Sequence, residues 1–165
     1  MAYDAFLKID GIPGESTDKI HPGEIQLDSY SFGETNSVRA STGSGAGAGR
    51  VSFQDFHFTS PVSKATPLLM LNCANGKHIP NAVLTVRKAG ENPDGESTPF
   101  EFLFVKFKNV IVSSVQDAFT GGERPEDSVS LNFGSISVEY KEQKLTGGIG
   151  SIVNFAWDLV SNRKA

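Results

Sequence analysis

Asp55 and His57 are the two side chains whose types and spacing come closest to a catalytic or metal-binding pair. Residues two apart on an extended strand point to the same face, and a carboxylate beside an imidazole can bind a metal ion or act as an acid-base pair. The other histidines, His21 and His78, stand in turn-like contexts without ligand spacing to one another. Alternating polar residues on a solvent face also produce such pairs, so this pair supports only an alternative hypothesis, a small β-barrel metal-dependent enzyme.

Other patterns that could carry chemistry are incomplete. The glycine-rich segment at residues 41–49, STGSGAGAG, lacks the Gly-Lys-Ser or Gly-Lys-Thr ending of a phosphate-binding loop. Residues 148–152, GIGSI, lack the final glycine of a nucleophile elbow. The one cysteine, Cys73, lies in an apolar stretch, where a packing role is expected rather than a reactive thiol. We therefore predict no catalytic residue, no metal ligand and no cofactor.

Composition sets limits on the class of protein. With 165 residues, 38% hydrophobic and 21% charged, the chain is predicted to form a single domain, residues 1–165. A net charge of −4 and a pI near 5.3 argue against a nucleic-acid partner. The first residues have no basic region and no long apolar run, so we expect no signal peptide, no stable membrane insertion and folding in the cytoplasm.

Strand patterns dominate the sequence. Alternating apolar and β-branched residues separated by Gly, Pro, Ser and Asn clusters predict seven strand regions: residues 3–9, 24–32, 50–59, 82–88, 100–116, 128–142 and 151–160. The single strong helix signal runs from Thr66 to Asn75, with Thr66 as N-cap, Pro67 as first helical residue and Gly76 as C-terminal stop. The predicted fold is mainly β, an antiparallel two-sheet barrel with one short flanking helix.

Several strands change phase partway along their length. In the clearest case Phe133 ends one apolar alternation, Ile136 begins another, and Gly134 stands between them. The same change follows Leu27 and Phe53. Because side chains alternate with period two, each change indicates a bulge or a second packing surface. A strongly bent barrel, or one whose outside other copies bury, fits this pattern.

Two apolar segments need a cover. The helix is apolar nearly all round and too short to be stable alone, so we expect it to dock on a sheet or on a neighbouring subunit. Residues 100–107, FEFLFVKF, are apolar on both faces over most of their length. Either the helix and a second sheet roof this strand, or oligomerisation covers it.

Motifs along nearly the whole chain resemble the Hcp (haemolysin-coregulated protein) family, the tube subunits of the bacterial type VI secretion system. The matching segments are residues 5–9 with 11–16, 49–51 with 55–59, 63–71 with Cys73 and 76–78, 82–90, 112–115, 129–133 and 157–158. Residues 63–71, SKATPLLML, and the segment that ends LTVRKAG at residues 84–90 are the most specific.

The resemblance implies a β-barrel flanked by a helix, similar to phage tail tubes, and assembly into homo-hexameric rings that stack into a hollow tube. It implies a VgrG-type spike, a contractile sheath and a baseplate as partners, with small effector proteins carried in the lumen. It also implies export through the type VI apparatus to the extracellular space or a target cell, without a signal peptide. A phage or phage-like contractile tail-tube protein is the alternative with the same fold.

The family's extended loop corresponds to residues 31–50, which places the ring or stacking interface on its glycine-rich part. The predicted interface residues are Thr42, Gly43, Ser44, Gly45, Ala46, Gly47 and Ala48. Two features depart from the family or its variants. The loop from Glu91 to Pro99 is longer than the family's compact turn, and no fused toxin domain is expected after residue 165.

Overall fold

The computed structural model describes residues 2–37, 49–88, 99–146 and 148–165. Within these ranges the chain is mainly β, with one helix. The elements in chain order are β1 (Tyr3–Ile9), β2 (Ile25–Gln26), β3 (Ser29–Ser31), β4 (Glu34–Asn36), β5 (Val51–Phe53), β6 (Phe56–Pro61), α1 (Ala65–Asn75), β7 (Ile79–Lys88), β8 (Phe100–Ala118), β9 (Glu126–Gln143), β10 (Ile149–Asp158) and β11 (Arg163–Lys164).

One antiparallel sheet contains every strand except β4 and β5, which pair only with each other. Its main path runs β11-β10-β9-β8-β7-β1-β2. β8 and β9 form the longest pair and stay together from Leu103 opposite Tyr140 to Ala118 opposite Glu126. On its other side β9 changes partner, because β6 pairs with its first residues and β10 with its last. This exchange turns one sheet into two surfaces around a common core.

The phase change predicted at Gly134 occurs in two strands at once. Phe133 and Ile136 of β9 are both buried in the core, and the strand opposite shows the same break between Phe107 and Val110. Asn109 lies between those two with a φ of 54°, directly opposite Gly134. A Cβ on Gly134 would lie 3.1 Å from Nδ2 of Asn109, so the Asn109 side chain lies directly against the bare backbone of Gly134. Each strand carries one extra residue at this point, so the residues on either side of it remain paired in the same register.

The predicted barrel differs in one respect, because the strand ladder of the described residues does not close. The predicted strand at residues 24–32 is broken into β2 and β3, which join different partners. Between them Leu27 donates its backbone N–H to Ala5 of β1 over 2.9 Å, and Asp28 donates to Thr59 of β6 over 2.8 Å. This short crossing segment connects the two sides of the sheet without forming a continuous ladder.

The core lies between these two surfaces and is rich in phenylalanine. Phe56, Phe58 and Phe107 are fully buried, with Phe56 and Phe107 rings 4.9 Å apart between centroids. Of the strand at residues 100–107, Val105 and Phe107 belong to this core, whereas its first five residues are only half-buried. The cover predicted for that strand is therefore present over Val105 and Phe107, and the residues before them remain partly exposed.

The helix begins earlier than predicted, and Thr66 is not its N-cap. α1 starts at Ala65, so Pro67 is its third residue. The Thr66 hydroxyl accepts from the backbone N–H of Ser63 over 3.1 Å and donates to the Asp127 carboxylate. The predicted stop is confirmed, since Gly76 ends the helix with a φ of 62°. The hydroxyl fastens the helix to β9 instead of capping it.

The helix packs through one side only. Leu69 is buried against the core, but Met70 and Leu71 are 45% and 57% exposed. The expected complete burial is therefore not achieved by the described residues of this chain. The exposed side is one of the apolar surfaces available to other molecules. No described helix has the length and apolarity required to cross a membrane.

Asp127, which accepts the hydrogen bond from the Thr66 hydroxyl, has a buried carboxyl group whose surroundings disfavour its charged form. It is 1% exposed, and its Oδ1 atom has no hydrogen-bond partner within the described part of the chain. Asp117 of β8 lies directly opposite in the register. Burial raises the pKa of Asp127, Asp117 raises it further, and the Thr66 hydrogen bond opposes the rise.

Residues 13–24 form a strap that follows β1 and doubles back on itself. Gly14 donates its backbone N–H to Gly23 over 2.8 Å, and Ser16 donates to Glu24 over 3.0 Å. A Cβ on Gly14 would lie 2.5 Å from the backbone oxygen of Glu24 and 2.7 Å from Cα of Ile25. The strap can approach β2 this closely only because residue 14 has no side chain.

We expect Gly14→Ala to lower the free energy of unfolding by about 1–3 kcal/mol, the usual cost of forcing extra volume into a packed site. Backbone atoms make the contact, so no side chain can swing away. Urea denaturation measures the effect. Gly121→Ala is the matched control, because nothing lies within 4 Å of a Cβ there. Equal stability of the two variants would contradict the close approach.

We expect Asp127→Asn to raise the free energy of unfolding at neutral pH by about 1 kcal/mol, since an amide keeps the Thr66 contact and removes a poorly compensated buried charge. The pKa of the Asp127 carboxyl is higher in the folded state than in the unfolded state. Its protonated form therefore stabilises the fold below the unfolded-state pKa, and this stabilisation is lost as pH rises through the folded-state pKa. The stability gained by Asp127→Asn at neutral pH should therefore vanish in acid. Denaturation at several pH values tests this, and a variant equally destabilised at all of them would refute it.

Candidate assembly interface

Asp55 and His57 do not form a catalytic pair in the structure. Asp55 lies just before β6, where its carboxylate accepts from the Ser113 hydroxyl over 2.7 Å and from Nδ2 of Asn132 over 3.0 Å. His57 contacts the hydroxyls of Ser130 and Ser128 through its two ring nitrogens, each over 3.1 Å. The polar atoms of both side chains are therefore engaged in a hydrogen-bonded network on the sheet surface.

This network lacks the composition of a metal centre. Across residues 2–37, 49–88, 99–146 and 148–165, no three His, Cys, Asp or Glu side chains gather closely enough to hold a metal ion. The partners of His57 are serine hydroxyls on β9, which lie beside it because His57 pairs with Ser130 in the register. The geometry supports a surface of hydroxyl contacts and gives the metal-enzyme hypothesis no support.

The predicted interface residues Thr42 to Ala48 lie outside the described residues. The strands that precede and follow them in the sequence are described, and they form a separate hairpin of β4 and β5, which we call the arm. Its register places Glu34 opposite Phe53 and Asn36 opposite Val51. Because it pairs with no strand of the main sheet, the arm relies on side-chain contacts such as that of Phe53 with Phe133, whose centroids are 6.1 Å apart.

A notch of about 380 Å³ separates the arm from the end of β10. Its walls are Val51 and the β4 residues on one side and Phe155 and Trp157 on the other. The indole Nε1 of Trp157 is buried and has no hydrogen-bond partner among the described residues. A notch with aromatic side chains on one wall and polar β4 side chains beside Val51 on the other can receive a side chain from another chain.

On β10, the face of the sheet that packs on the core extends beyond the side chains of this chain that cover it. Trp157 lies opposite Ile136 and packs on the core, and Phe155 and Val153 follow on the same face because strand residues alternate. Phe155 is 38% exposed and Val153 is 63% exposed. Tyr140, which pairs with Val153, is 47% exposed. We call Tyr140, Val153 and Phe155 the uncovered row.

The outer edge of β10 is also open. β11 pairs only with Trp157 and Asp158, so from Ile149 to Phe155 the strand has no partner on that side among the described residues. On the opposite face Ile152 is 53% exposed. An apolar strand with free backbone donors and acceptors is a template for pairing with another chain.

The sequence contains a sign of this surface in the apolar pattern of β10. Residues 151–160 were predicted as a strand, but the pair Ile152 and Val153 puts apolar side chains on both of its faces. The same observation on residues 100–107 had suggested a covered strand. Applied to β10, it predicts a second candidate interface on the main sheet, in addition to the one predicted on the loop.

Comparisons with known proteins identify the family. The family model for "Type VI secretion system effector, Hcp" matches residues 6–140. Protein hcp1 of Pseudomonas aeruginosa is 43% identical over 167 residues, covering 100% of both chains.

Solved structures give the same result. The crystal structure of Hcp1 from Salmonella typhimurium has a TM-score of 0.79 and 33% identity, covering 100% of both chains. A type VI secretion system effector from Yersinia pestis has a TM-score of 0.74 and 32% identity over 94% of this chain and 99% of that one. With a family match over most of its length, full-length sequence similarity and a shared fold, the chain belongs to the Hcp family of type VI secretion tube proteins.

Proposed function

We propose that this chain, acting as one domain over residues 1–165, assembles into hexameric rings that stack into the tube of a type VI secretion system. The observation that carries the proposal is the uncovered row on β9 and β10, where the face of the sheet that packs on the core extends beyond the side chains that cover it. A second copy of the same chain is the proposed cover. The role is structural, and the residues of the hydroxyl network around His57 serve the sheet surface rather than catalysis.

Burial of the uncovered row against another chain is energetically favoured over its exposure to solvent. Full burial of one large apolar side chain stabilises by about 1.5–3 kcal/mol, so the half-exposed row of Tyr140, Val153 and Phe155 supplies a substantial driving force. The open edge of β10 adds backbone hydrogen bonds that water alone now satisfies. In a ring each subunit gives one surface and receives another, so the edge of one copy must meet a different surface of the next.

The arm provides a second contact. The notch between Val51 and Trp157 lies beside the uncovered row, so a neighbour that covers Phe155 also reaches the notch. Residues 42–48 follow β4 and precede β5 in the sequence, and we propose that they contact the adjacent subunit or the next ring. Their glycines and small residues allow close backbone approach.

The remaining parts of the proposal come from the family. Rings would stack beneath a VgrG-type spike and inside a contractile sheath docked on a baseplate, and small effectors would travel in the lumen. The chain would leave the bacterial cytoplasm through this apparatus and reach the extracellular space or a target cell. A phage tail-tube protein shares the mechanics, but the family model and the full-length relative favour the secretion machine.

We expect Val153→Asp to abolish ring formation while the monomer stays folded. The side chain is already 63% exposed, so a charge there costs the monomer little, whereas burying it against a neighbour would leave an unpaired charge. Light scattering at high protein concentration and negative-stain electron microscopy measure the outcome, with circular dichroism to check the fold.

Val160→Asp is the matched control, because this valine is 79% exposed but lies beyond β10 in a turn. It should form rings like the unmodified protein. Rings of Val153→Asp equal in number to those of the control would remove β10 from the interface. An unmodified protein that is strictly monomeric and shows no rings would end the whole proposal.

Deletion of residues 42–48 tests the arm. We expect shorter stacks and an unchanged melting temperature, since a glycine-rich segment adds little to the core. Replacing the same residues with a glycine-serine segment of equal length separates the effect of length from that of sequence. Tubes of normal length after the deletion would show that these residues do not take part in stacking.

A further inference from the structure

The turn between β9 and β10 carries an apolar side chain that contacts nothing in its own chain. Leu145 is fully exposed. The backbone N–H of Lys144 donates to the carbonyl oxygen of Gly148 over 2.8 Å, which closes the turn and presents Leu145 at its tip. We call residues 144–146, Lys-Leu-Thr, the knob. A single exposed leucine is ordinary on a protein surface, so its importance depends on whether a site exists that fits it.

The knob and the notch lie at opposite ends of β10. Leu145 precedes Ile149, the first residue of the strand, whereas the aromatic wall of the notch, Phe155 and Trp157, lies near its last residue. At a rise of about 3.3 Å per residue, the ten residues of β10 separate its two ends by roughly 30 Å. One copy therefore cannot place its own knob in its own notch, and a second copy is needed to join them.

The knob and the notch carry opposite charges. Glu34 is the one charged residue among those that line the notch. The knob carries Lys144, and both side chains are exposed. Across the described ranges, neither of them takes part in an ion pair within its own chain. A pair formed between two copies would therefore break no ion pair in either of them, and it favours one docked orientation over others.

The two walls of the notch differ, and the knob matches both of them. Phe155 and Trp157 give one wall an aromatic surface, against which Leu145 can bury its side chain. The β4 wall carries hydroxyl and amide groups beside its carboxylate, and the knob has a polar residue on each side of its leucine. The volume of the notch, about 380 Å³, lies within the range of sites that enclose a small ligand, so it has room for the tip of a turn.

We propose that the knob of one copy enters the notch of a second copy and that this contact joins one ring to the next. The inference rests on the stacked rings of the proposed function and names the surfaces that stack. Lys144 pairs with Glu34, and Leu145 lies against the aromatic wall. The ring neighbour reaches the edge of the notch at Phe155, and the knob of the next ring fills its interior.

A contact between the two ends of β10 is head-to-tail. It leaves a free knob at one end of a stack and a free notch at the other, because the two surfaces that meet are different. Each added ring therefore presents the same surface as the ring before it. The stack can grow without a fixed limit, which is the property that a tube requires.

Exchange of the two charges tests the contact. We expect Glu34→Lys and Lys144→Glu each to reduce the fraction of rings found in stacks about tenfold, because each variant brings two like charges together in the docked site. The double variant restores an opposite pair and should recover most of the stacking. Negative-stain electron microscopy counts rings and stacks in the same fields. Undiminished stacking in the single variants, or no recovery in the double variant, would overturn the inference.

Leu145→Asp removes the apolar part of the contact. We expect it to abolish stacks and to leave rings intact, since the side chain is fully exposed and a charge there costs the monomer little. Phe119→Asp is the matched control, because this residue is 69% exposed just after β8 and belongs to neither the knob nor the notch. It should stack like the unmodified protein. Stacks of equal length in the two variants would remove the knob from the contact.

Trp157 supplies an optical readout of the notch, because it is the one tryptophan of the chain. When unmodified rings stack, its emission maximum should move to shorter wavelength as Leu145 excludes water from the aromatic wall. Rings of Leu145→Asp should show no such shift under the same conditions. Stacking of the unmodified protein without any change in emission would show that the notch stays open.

A disulfide between copies covers the case in which stacks are short-lived. In a Cys73→Ala background, Leu145→Cys combined with Thr35→Cys should give a ladder of cross-linked chains on a non-reducing gel after oxidation by diamide, which takes up the two thiol hydrogens. Either substitution alone should give a dimer at most. Intact rings of the double variant without a ladder would overturn this inference alone, whereas an unmodified protein that forms no rings would refute the proposed function.

Discussion

The antiparallel pairing of β8 with β9 is the constraint on which the other elements depend. Every other strand of the main sheet is attached to one or the other of these two, directly or through one or two intermediate strands. They can serve two surfaces only because Asn109 and Gly134 shift phase together, which keeps Phe107, Val110, Phe133 and Ile136 all in one core. A shift in one strand alone would turn one set of side chains to the opposite face and break the pairing.

The strand content and the helix were readable from the sequence because both depend on local patterns. Tyr3–Ile9 was predicted to the residue, and the stop at Gly76 follows from a conformation that glycine adopts without steric cost. Thr66 could not be predicted correctly, because its hydroxyl has a local use as a cap and a distant use at Asp127, and only the tertiary fold decides between them. For the same reason the break of residues 24–32 into two strands was missed.

The interface shows where local patterns stop being informative. The loop at residues 42–48 was selected through family resemblance and stays a prediction, since it lies outside the described residues. The uncovered row on β10 was missed, because exposure depends on which strands lack a neighbour, and strand order is not a local property. The ion pairs of Arg87 were likewise invisible, because Arg87 lies 83 residues from Asp4 and 69 residues from Asp18 and comes beside Asp4 only through the pairing of β1 with β7.

The position of β10 in the chain has a consequence for synthesis. All other strands of the main sheet except β11 precede it, so a ribosome completes the core-forming strands β1 to β9 before the open edge exists. Val153 and Phe155, two of the three residues of the uncovered row, are therefore among the last parts of the sheet to be synthesised. In the proposed assembly the contact surface is complete only on a nearly finished polypeptide, so each copy folds before it joins its neighbours.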